Sequence, residues 1–459
     1  MIKKLKKFLT DTLCCRMKKS SFTIIVFAVI FIFGNYILFM NFYKKGNIQV
    51  NTSSTKPTVH EKMVEKAKYS TSEELFAKKF KKYEEQKEIK IEDHQDNVVV
   101  VKKDDPHKNS ELSFKDNSFK MALLVIACNR PSVGRCLNRI FKYKPKDVEI
   151  PIIVSQDCGH EATANVIKSY GEKVMHIQQP DLGPVKNVPH NMHRFMGYYK
   201  ISRHFKFALG KVFEDWTIDS VVIVEDDIDI APDFFDYFLA TRPLLEKDKS
   251  LYCVSAWNDN GKSDAIQEDA IDTLYRSDFF PGLGWLITRE LWQEIGPNWP
   301  LGFWDDWMRA PEQRKNRACI RPEISRTKTF GRIGVSQGQF YDQYLKYIKL
   351  NTEPYPFRDF SLDNLIKDNY DKNFVELVYN SPEKQIGDVM SNSERSEEPI
   401  RLTYRNNNEF AMLARKFGLM SDLKAGVPRT AYKGVVTLYR NGRRIYIAPP
   451  SDWKEYLEH

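Results

Sequence analysis

The chain of 459 residues has room for two folded domains and for non-globular segments besides. Its composition, 42% hydrophobic and 29% charged, is ordinary for a folded protein. The net charge of +9 does not describe a nucleic-acid surface: residues 1–20 carry +6 of it, and the +3 that remains is spread over the rest of the chain, leaving no basic stripe to track a phosphate backbone.

Residues 1–21 are a basic tail. Residues 22–42 follow without a charge, rich in Ile, Val and Phe, at the length of about 20 residues that crosses a bilayer as a helix. Lys18 and Lys19 flank the segment on one side and Lys44 and Lys45 on the other. The tail outweighs the distal pair, so the N-terminus is expected in the cytosol and the rest in a lumen or outside the cell. A cleaved signal peptide would have a shorter apolar core followed by small residues, whereas this run ends in Phe-Met-Asn-Phe-Tyr. The expectation is a single-pass type II membrane anchor.

Residues 43–118 mix Lys and Glu densely and read as a stem. Thr71 to Glu74 is a candidate capping box for a solvated helix, and Asn51-Thr52-Ser53 is a glycosylation sequon. The globular part begins near Phe119. An apolar run at 121–127 predicts a strand buried on both faces; Ser132 is expected to cap the helix that follows, with Val133, Leu137, Ile140 and Phe141 on its apolar face. A strand at 151–155, a helix at 161–169 stopped by Gly171, a strand at 173–177, a helix at 194–213 and an apolar strand at 220–224 come next. This alternation predicts an α/β fold with a mostly parallel sheet covered by helices on both faces. The Gly-, Ser- and Gln-rich stretch 331–339 predicts a mobile loop, which opens a connection expected over 332–366. Residues 367–459 are expected to form a small α+β domain whose hairpin turns at Asn441-Gly442.

Cys14 and Cys15 lie in the tail, as palmitoylation candidates or plain reduced thiols. Cys128, Cys136, Cys158, Cys253 and Cys319 lie beyond the apolar segment, where disulfides persist. None has CxxC spacing, so no zinc site is expected, and an odd number leaves at least one unpaired.

The strongest chemical signal is Glu225-Asp226-Asp227, directly after a buried strand. Ligands of open α/β sheets bind beyond the carboxyl ends of strands, and adjacent acids call for a cation, most simply a hard divalent metal that also holds a diphosphate. A solvated acidic turn is the plainer reading. The second signal is Trp304-Asp305-Asp306-Trp307. Neighbouring acids on a helix diverge by about 100°, so one of the two is expected to face a site. Desolvation between tryptophans would suit a general base, and a helix start with acids at its positive end explains the same residues equally well. Phe279 to Trp285, with Gly282 and Gly284, fits either a backbone passing close to a sugar or a core turn. The chain lacks GxGxxG after its first strand, a P-loop and GxSxG, which removes the main support for dehydrogenase, kinase and hydrolase readings.

Taken together, these segments resemble the Golgi N-acetylglucosaminyltransferase I family. The resemblance is carried by Leu124-Val-Ile-Ala-Cys-Asn-Arg130, Pro151-Ile-Ile-Val-Ser-Gln-Asp-Cys-Gly-His160, Val224-Glu-Asp-Asp227, Phe279-Phe-Pro-Gly-Leu-Gly-Trp285, Phe303-Trp-Asp-Asp-Trp-Met-Arg309 and the words around Gly197–His204, Cys253–Lys262 and Arg317–Arg326. It implies a GT-A fold, with a nucleotide-sugar-binding domain over 119–331 and the smaller domain at the C-terminus. It implies Mn2+ bound by Asp227, UDP-GlcNAc contacted by Asp226, Arg130, Asp157, His204 and Ser336, and Asp305 as catalytic base. The disulfides implied are Cys128–Cys158 and Cys253–Cys319, with Cys136 free. The activity implied is inverting β1,2 transfer of N-acetylglucosamine to the α1,3-arm mannose of oligomannose N-glycans on glycoproteins, at the lumenal side of the Golgi membrane. Two alternatives are transfer to protein O-mannose, whose enzyme has an additional stem domain, and a catalytically silent carbohydrate-binding protein, against which Asp227 and Asp305 speak.

Overall fold

The structure, a computed structural model, describes residues 120–391, 397–454 and 456. The apolar segment 22–42, the stem, its capping box, the Asn51 sequon, Cys14 and Cys15 lie outside these residues. Among the described residues no helix is long and apolar enough to cross a membrane.

The apolar run after Phe119 forms β1 (Met121–Ala127), buried at every position. It pairs in parallel with β2 (Ile152–Gln156), which pairs with β3 (Met175–Gln178), and on its other side with β4 (Ser220–Glu225). Side chains alternate across the strand: Leu123, Val125 and Ala127 enter one core cluster, and Ala122, Leu124 and Ile126 the other. With both faces covered, a strand has no polar side to show, which is why β1 reads as an unbroken apolar run.

The sheet continues past β4 with β6 (Leu251–Ser255), β7 (Leu274–Ser277), β8 (Trp285–Thr288) and β9 (Ala318–Pro322), after a short β5 (Ile228–Ile230) outside it. The eight strands run in the order β3-β2-β1-β4-β8-β6-β9-β7. Four of the seven pairings are parallel and three antiparallel, so the sheet is mixed, with the parallel half at the N-terminal side as expected.

Helix α1 (Val133–Tyr143) buries Val133, Cys136, Leu137 and Ile140. Ser132 does not cap it: the residue is already helical and its hydroxyl makes no capping bond. The amides of Val133, Gly134 and Arg135 are taken by the carbonyls of Arg130, Pro131 and Ser132, so the start of the helix has no free donor for a cap to satisfy. Helix α2 (Glu161–Lys168) ends before Gly171, whose φ of 58° opens a 3-10 turn that delays β3 by two residues from its expected start. Helix α3 (Met196–Phe213) lies on the second face with Phe205, Ala208, Leu209 and Val212 buried. Helix α4 (Phe234–Thr241) lies on the first, and α5 (Arg289–Ile295) follows β8 on the second.

Beyond a connection of turns, α7 (Lys367–Asn380) packs Tyr370, Phe374 and Val378 into the first cluster, after a short α6 (Trp304–Arg309) at the site. A three-stranded sheet combines β11 (Ile400–Thr403), β15 (Arg443–Ala448) and β14 (Val436–Arg440) over α8 (Asn407–Lys416), burying Phe410, Leu413, Leu438 and Ile445 together. Between β5 and β11 the chain also forms β10 (Thr327–Thr329), and before β14 the two-residue strands β12 (Leu423–Lys424) and β13 (Val427–Pro428). Strands β14 and β15 turn at Asn441 and Gly442, both at positive φ, as an Asn-Gly turn requires. Tyr456 ties this end of the chain to the large sheet: its hydroxyl donates to Asp278 at 2.7 Å and accepts from the Gly434 amide at 2.9 Å.

Candidate active site

The parallel pairing of β1 and β4 sets Ile126 against Glu225, and the Asp226 amide then donates to the Ile126 carbonyl at 3.0 Å. Glu225, Asp226 and Asp227 therefore leave the sheet beside the loop that follows β1. Asp226 accepts from the Cys128 amide at 3.1 Å and from Arg130 Nη1 at 3.0 Å, and the same Nη1 donates to Asp227 Oδ2. Arg130 Nη2 donates to the Ile333 carbonyl at 2.6 Å. Strand β5 pairs with β10, and the Phe330 amide bonds the Asp227 carbonyl at 2.8 Å, which lays Gly331 directly on the Asp227 side chain. Loss of solvent raises all three acids: Glu225 to about 8, with the charges of Asp227 and Asp226 adding, Asp226 to about 6 against the pull of Arg130, and Asp227 upward against the same guanidinium.

The loops after β1 and β2 are joined by Cys128–Cys158, Cα atoms 5.2 Å apart, and Cys253–Cys319 joins register partners on β6 and β9 at 4.6 Å. Both pairings are those the family resemblance implies. Cys136 is free and buried, and burial pushes its thiol up. Asp157, buried after β2, accepts from the Cys158 amide at 2.7 Å. His204 on α3 faces β2, with Nε2 2.8 Å from Ser155 Oγ. Burial draws its imidazole down to about 4, against the charge of Asp157, so the ring is neutral at neutral pH. The structure thus brings Arg130, Asp157, His204, Asp226 and Asp227 to one end of the parallel strands.

Ser336 stands apart. It is exposed in the 331–339 stretch, where its carbonyl accepts from the Gln339 amide at 3.1 Å. Its neighbour Val335 packs on the start of α3, where a Cβ on Gly197 would lie 2.8 Å from Val335 Cγ1.

Asp305 rides on α6. Trp304 anchors that helix in a stack with Trp285, Trp299 and Phe205, and Phe303 before it adopts φ 53°. The two acids do not diverge as expected. Arg309 Nη1 bonds Asp305 at 2.8 Å and Asp306 at 2.9 Å, because it lies one turn on from both, at i+4 and i+3. Nor do the tryptophans enclose them: the two side chains are 43% and 42% exposed. The asymmetry lies elsewhere, for Asp306 alone also meets Lys424 of β12, at 3.2 Å. Burial and the neighbouring Asp227 and Asp226 raise Glu225 most, and the charge of Asp305 adds a smaller push in the same direction. Lys424 was missed from the sequence, and Arg309 and Gly331 were given no role of their own there. The i+4 spacing of Arg309 was a usable signal, whereas Lys424 comes from a distant strand and had none.

The segment 279–285 is a core turn: Gly282, Leu283 and Gly284 have positive φ, Phe279 and Phe280 are buried, and the Gly284 carbonyl accepts from the Ala256 amide at 2.7 Å. The acid triplet offers oxygen donors only, which suits a hard cation. Among the described residues no group of three or more His, Cys, Asp or Glu is arranged to hold a metal.

The GNT-I family model matches residues 21–459. The alpha-1,3-mannosyl-glycoprotein 2-beta-N-acetylglucosaminyltransferase of Arabidopsis thaliana is 40% identical over 332 residues, 72% of this chain and 74% of the relative. Among solved structures, the mannosyltransferase PcManGT from Pyrobaculum calidifontis in complex with GDP-Man and Mn2+ aligns at 16% identity and a TM-score of 0.30, over 44% of this chain and 54% of that one. TarS 1–349 of S. aureus in complex with UDP aligns at 12% identity and a TM-score of 0.32, over 55% and 72%. With the family model spanning nearly the whole chain and a curated relative at 40% identity, this chain belongs to the GNT-I family.

Proposed function

We propose that the protein is an inverting glycosyltransferase that moves N-acetylglucosamine from UDP-GlcNAc, in β1,2 linkage, to the α1,3-arm mannose of oligomannose N-glycans. The observation that carries this reading is the meeting of Asp226 and Asp227, at the carboxyl end of β4, with Arg130, in a chain 40% identical to an enzyme of that name. Asp227, with Asp226 beside it, would hold Mn2+. When bound, the ion supplies Lewis-acid neutralisation of charge growing on the leaving diphosphate.

The remaining roles belong to the chain itself. Asp305, open to solvent, accepts the proton of the mannose 2-hydroxyl as that oxygen attacks the anomeric carbon from the face opposite UDP; such assistance is worth about 10²–10⁴-fold. Arg309 fixes the carboxylate in place, and Lys424 holds Asp306 aside. Neutral His204, Asp157 and Arg130 offer the nucleotide a donor and acceptor set at the ends of β1 and β2, and Ser336 enters with the 331–339 loop when it closes over the donor and excludes water. An anchor at 22–42, as the sequence leads one to expect, would put this site on the lumenal side of the Golgi membrane, which protease protection of sealed microsomes tests.

The deciding assay incubates the full chain with UDP-GlcNAc, Mn2+ and a panel of oligomannose and O-mannosyl acceptors, with linkage analysis of the product. A β1,2-linked residue on the α1,3-arm mannose is expected. Transfer to O-mannosyl acceptors alone would replace the acceptor assignment, and neither transfer nor donor hydrolysis would leave a silent carbohydrate-binding protein.

A further inference from the structure

Arg130 is more than one positive charge near three acids. Its Nη1 is shared between Asp226 Oδ1, at 3.0 Å, and Asp227 Oδ2, while Nη2 reaches the Ile333 carbonyl at 2.6 Å. The guanidinium thus sits on the two carboxylates that would receive a metal and also holds the loop that lies over them. The surroundings fit this arrangement closely. A Cβ on Gly334 would lie 3.1 Å from Arg130 Nη2, and the Asp226 and Asp227 side chains are only 6% and 13% exposed. Arg130 follows Cys128 by two residues; that cysteine is fixed by its disulfide and by the hydrogen bond its backbone N–H donates to Asp226 Oδ2.

We infer that Arg130 is a built-in counter-cation and latch: it competes with a divalent ion for Asp226 and Asp227 and pins the Ile333 backbone beside them until an anionic donor draws it away. This rests on the reading of Asp227 as the metal residue. A bare divalent ion must displace a charge-assisted Nη1 donor shared by both acids, and it brings nothing that attracts the guanidinium elsewhere. A nucleoside diphosphate brings phosphate oxygens that receive both the ion and a cation from the protein. Metal and donor then bind cooperatively, with each raising the affinity of the other by the same factor, within the 5–150-fold typical of such coupling (about 10-fold or more here). Moving Arg130 also cuts the bond to Ile333, which frees the backbone beyond Gly331 to re-seat over the bound donor, while the Phe330 amide bond to the Asp227 carbonyl keeps Gly331 in place.

The test is binding of Mn2+ alone, without donor, to the full chain, read from the electron-spin-resonance signal of free Mn2+. Arg130→Gln is expected to bind the ion about 10-fold tighter than wild type, and Asp227→Asn placed on that background to remove the gain. Arg130→Lys, whose ammonium cannot span both acids and the Ile333 carbonyl, keeps the charge if the glutamine variant does not fold, and should tighten binding by a few-fold. Equal or weaker binding in a folded Arg130 variant, with Asp227→Asn still abolishing binding in wild type, overturns the latch and leaves the metal residue standing. Binding indifferent to Asp227→Asn overturns the assignment of the metal residue, and the latch with it.

Discussion

Replacing Gly331 by alanine probes how closely the loop must lie on Asp227, the acid proposed to hold the metal. An added Cβ would stand 1.9 Å from Asp227 Oδ2, 2.6 Å from Cγ and 2.8 Å from Cβ. Rotating the carboxylate relieves only the first two contacts; the third involves an atom fixed by the backbone, so the loop or the end of β4 has to move. Restoring ordinary van der Waals separation takes a displacement of about 1 Å, and misplacement on that scale costs a catalytic arrangement about 10²-fold. Gly331 is half-exposed at the edge of the fold, so the melting temperature should fall by no more than a few degrees. The expected result is kcat/KM down by about two orders of magnitude, with weaker Mn2+-dependent UDP binding in calorimetry. A Gly331→Ala enzyme with wild-type turnover and wild-type metal-dependent binding would mean that Gly331 leaves Asp227 during the reaction, and the packing argument would fail.

Asp305→Asn should lower kcat by about 10²–10⁴-fold while UDP-GlcNAc binding survives, and Asp306→Asn should lower it far less; an active Asp305→Asn enzyme would move the base elsewhere. Removing the Cys253–Cys319 bridge as a double serine variant opens a link across 66 residues and should cost about 2–5 kcal/mol in calorimetric unfolding, leaving Cys128–Cys158 in the non-reducing peptide map. His204 is held at about 4 against an ordinary 6.5, so its neutral ring supports the fold above pH 6.5 and that support is lost as the pH falls through 4; His204→Gln should flatten the acid-side decline in melting temperature, and an unchanged slope would refute a neutral ring. Glu225 has the opposite sign. Raised from 4.5 to about 8, it favours the fold at low pH and ceases to as the pH rises through 8, so Glu225→Gln should remove a loss of stability on that side.

The parallel half of the sheet was legible because β1 and β4 are buried on both faces and nothing polar interrupts them. The other half was not. Strand β7 carries Arg276 and β9 carries Arg321, each 1% exposed, and β9 ends in proline. Arg276 is admissible in the core because Asp248 at 2.7 Å and Ser250 receive its guanidinium, and Arg321 lies over the Tyr275 ring. Partners so distant leave no periodicity in the sequence, and the four residues of β8 are too few to show one. At the site, an apolar strand delivering acids was readable. The choice between Asp305 and Asp306 was not, because both answer to Arg309 and only Lys424, more than a hundred residues away, tells them apart.

The bond from Tyr456 to Asp278 has a genetic corollary. A stop codon between residues 449 and 455 would spare every residue proposed for binding and catalysis. It would nonetheless delete the hydroxyl that serves both the Asp278 carboxylate and the Gly434 amide, leaving that carboxylate the Lys433 amide, at 2.7 Å, in a part-buried setting. Losing such partners costs about 1–3 kcal/mol each, a large share of the margin by which a domain stays folded. Truncating alleles this late should therefore behave as loss-of-function alleles through reduced protein abundance, with the enzyme that does survive retaining its donor and metal affinities.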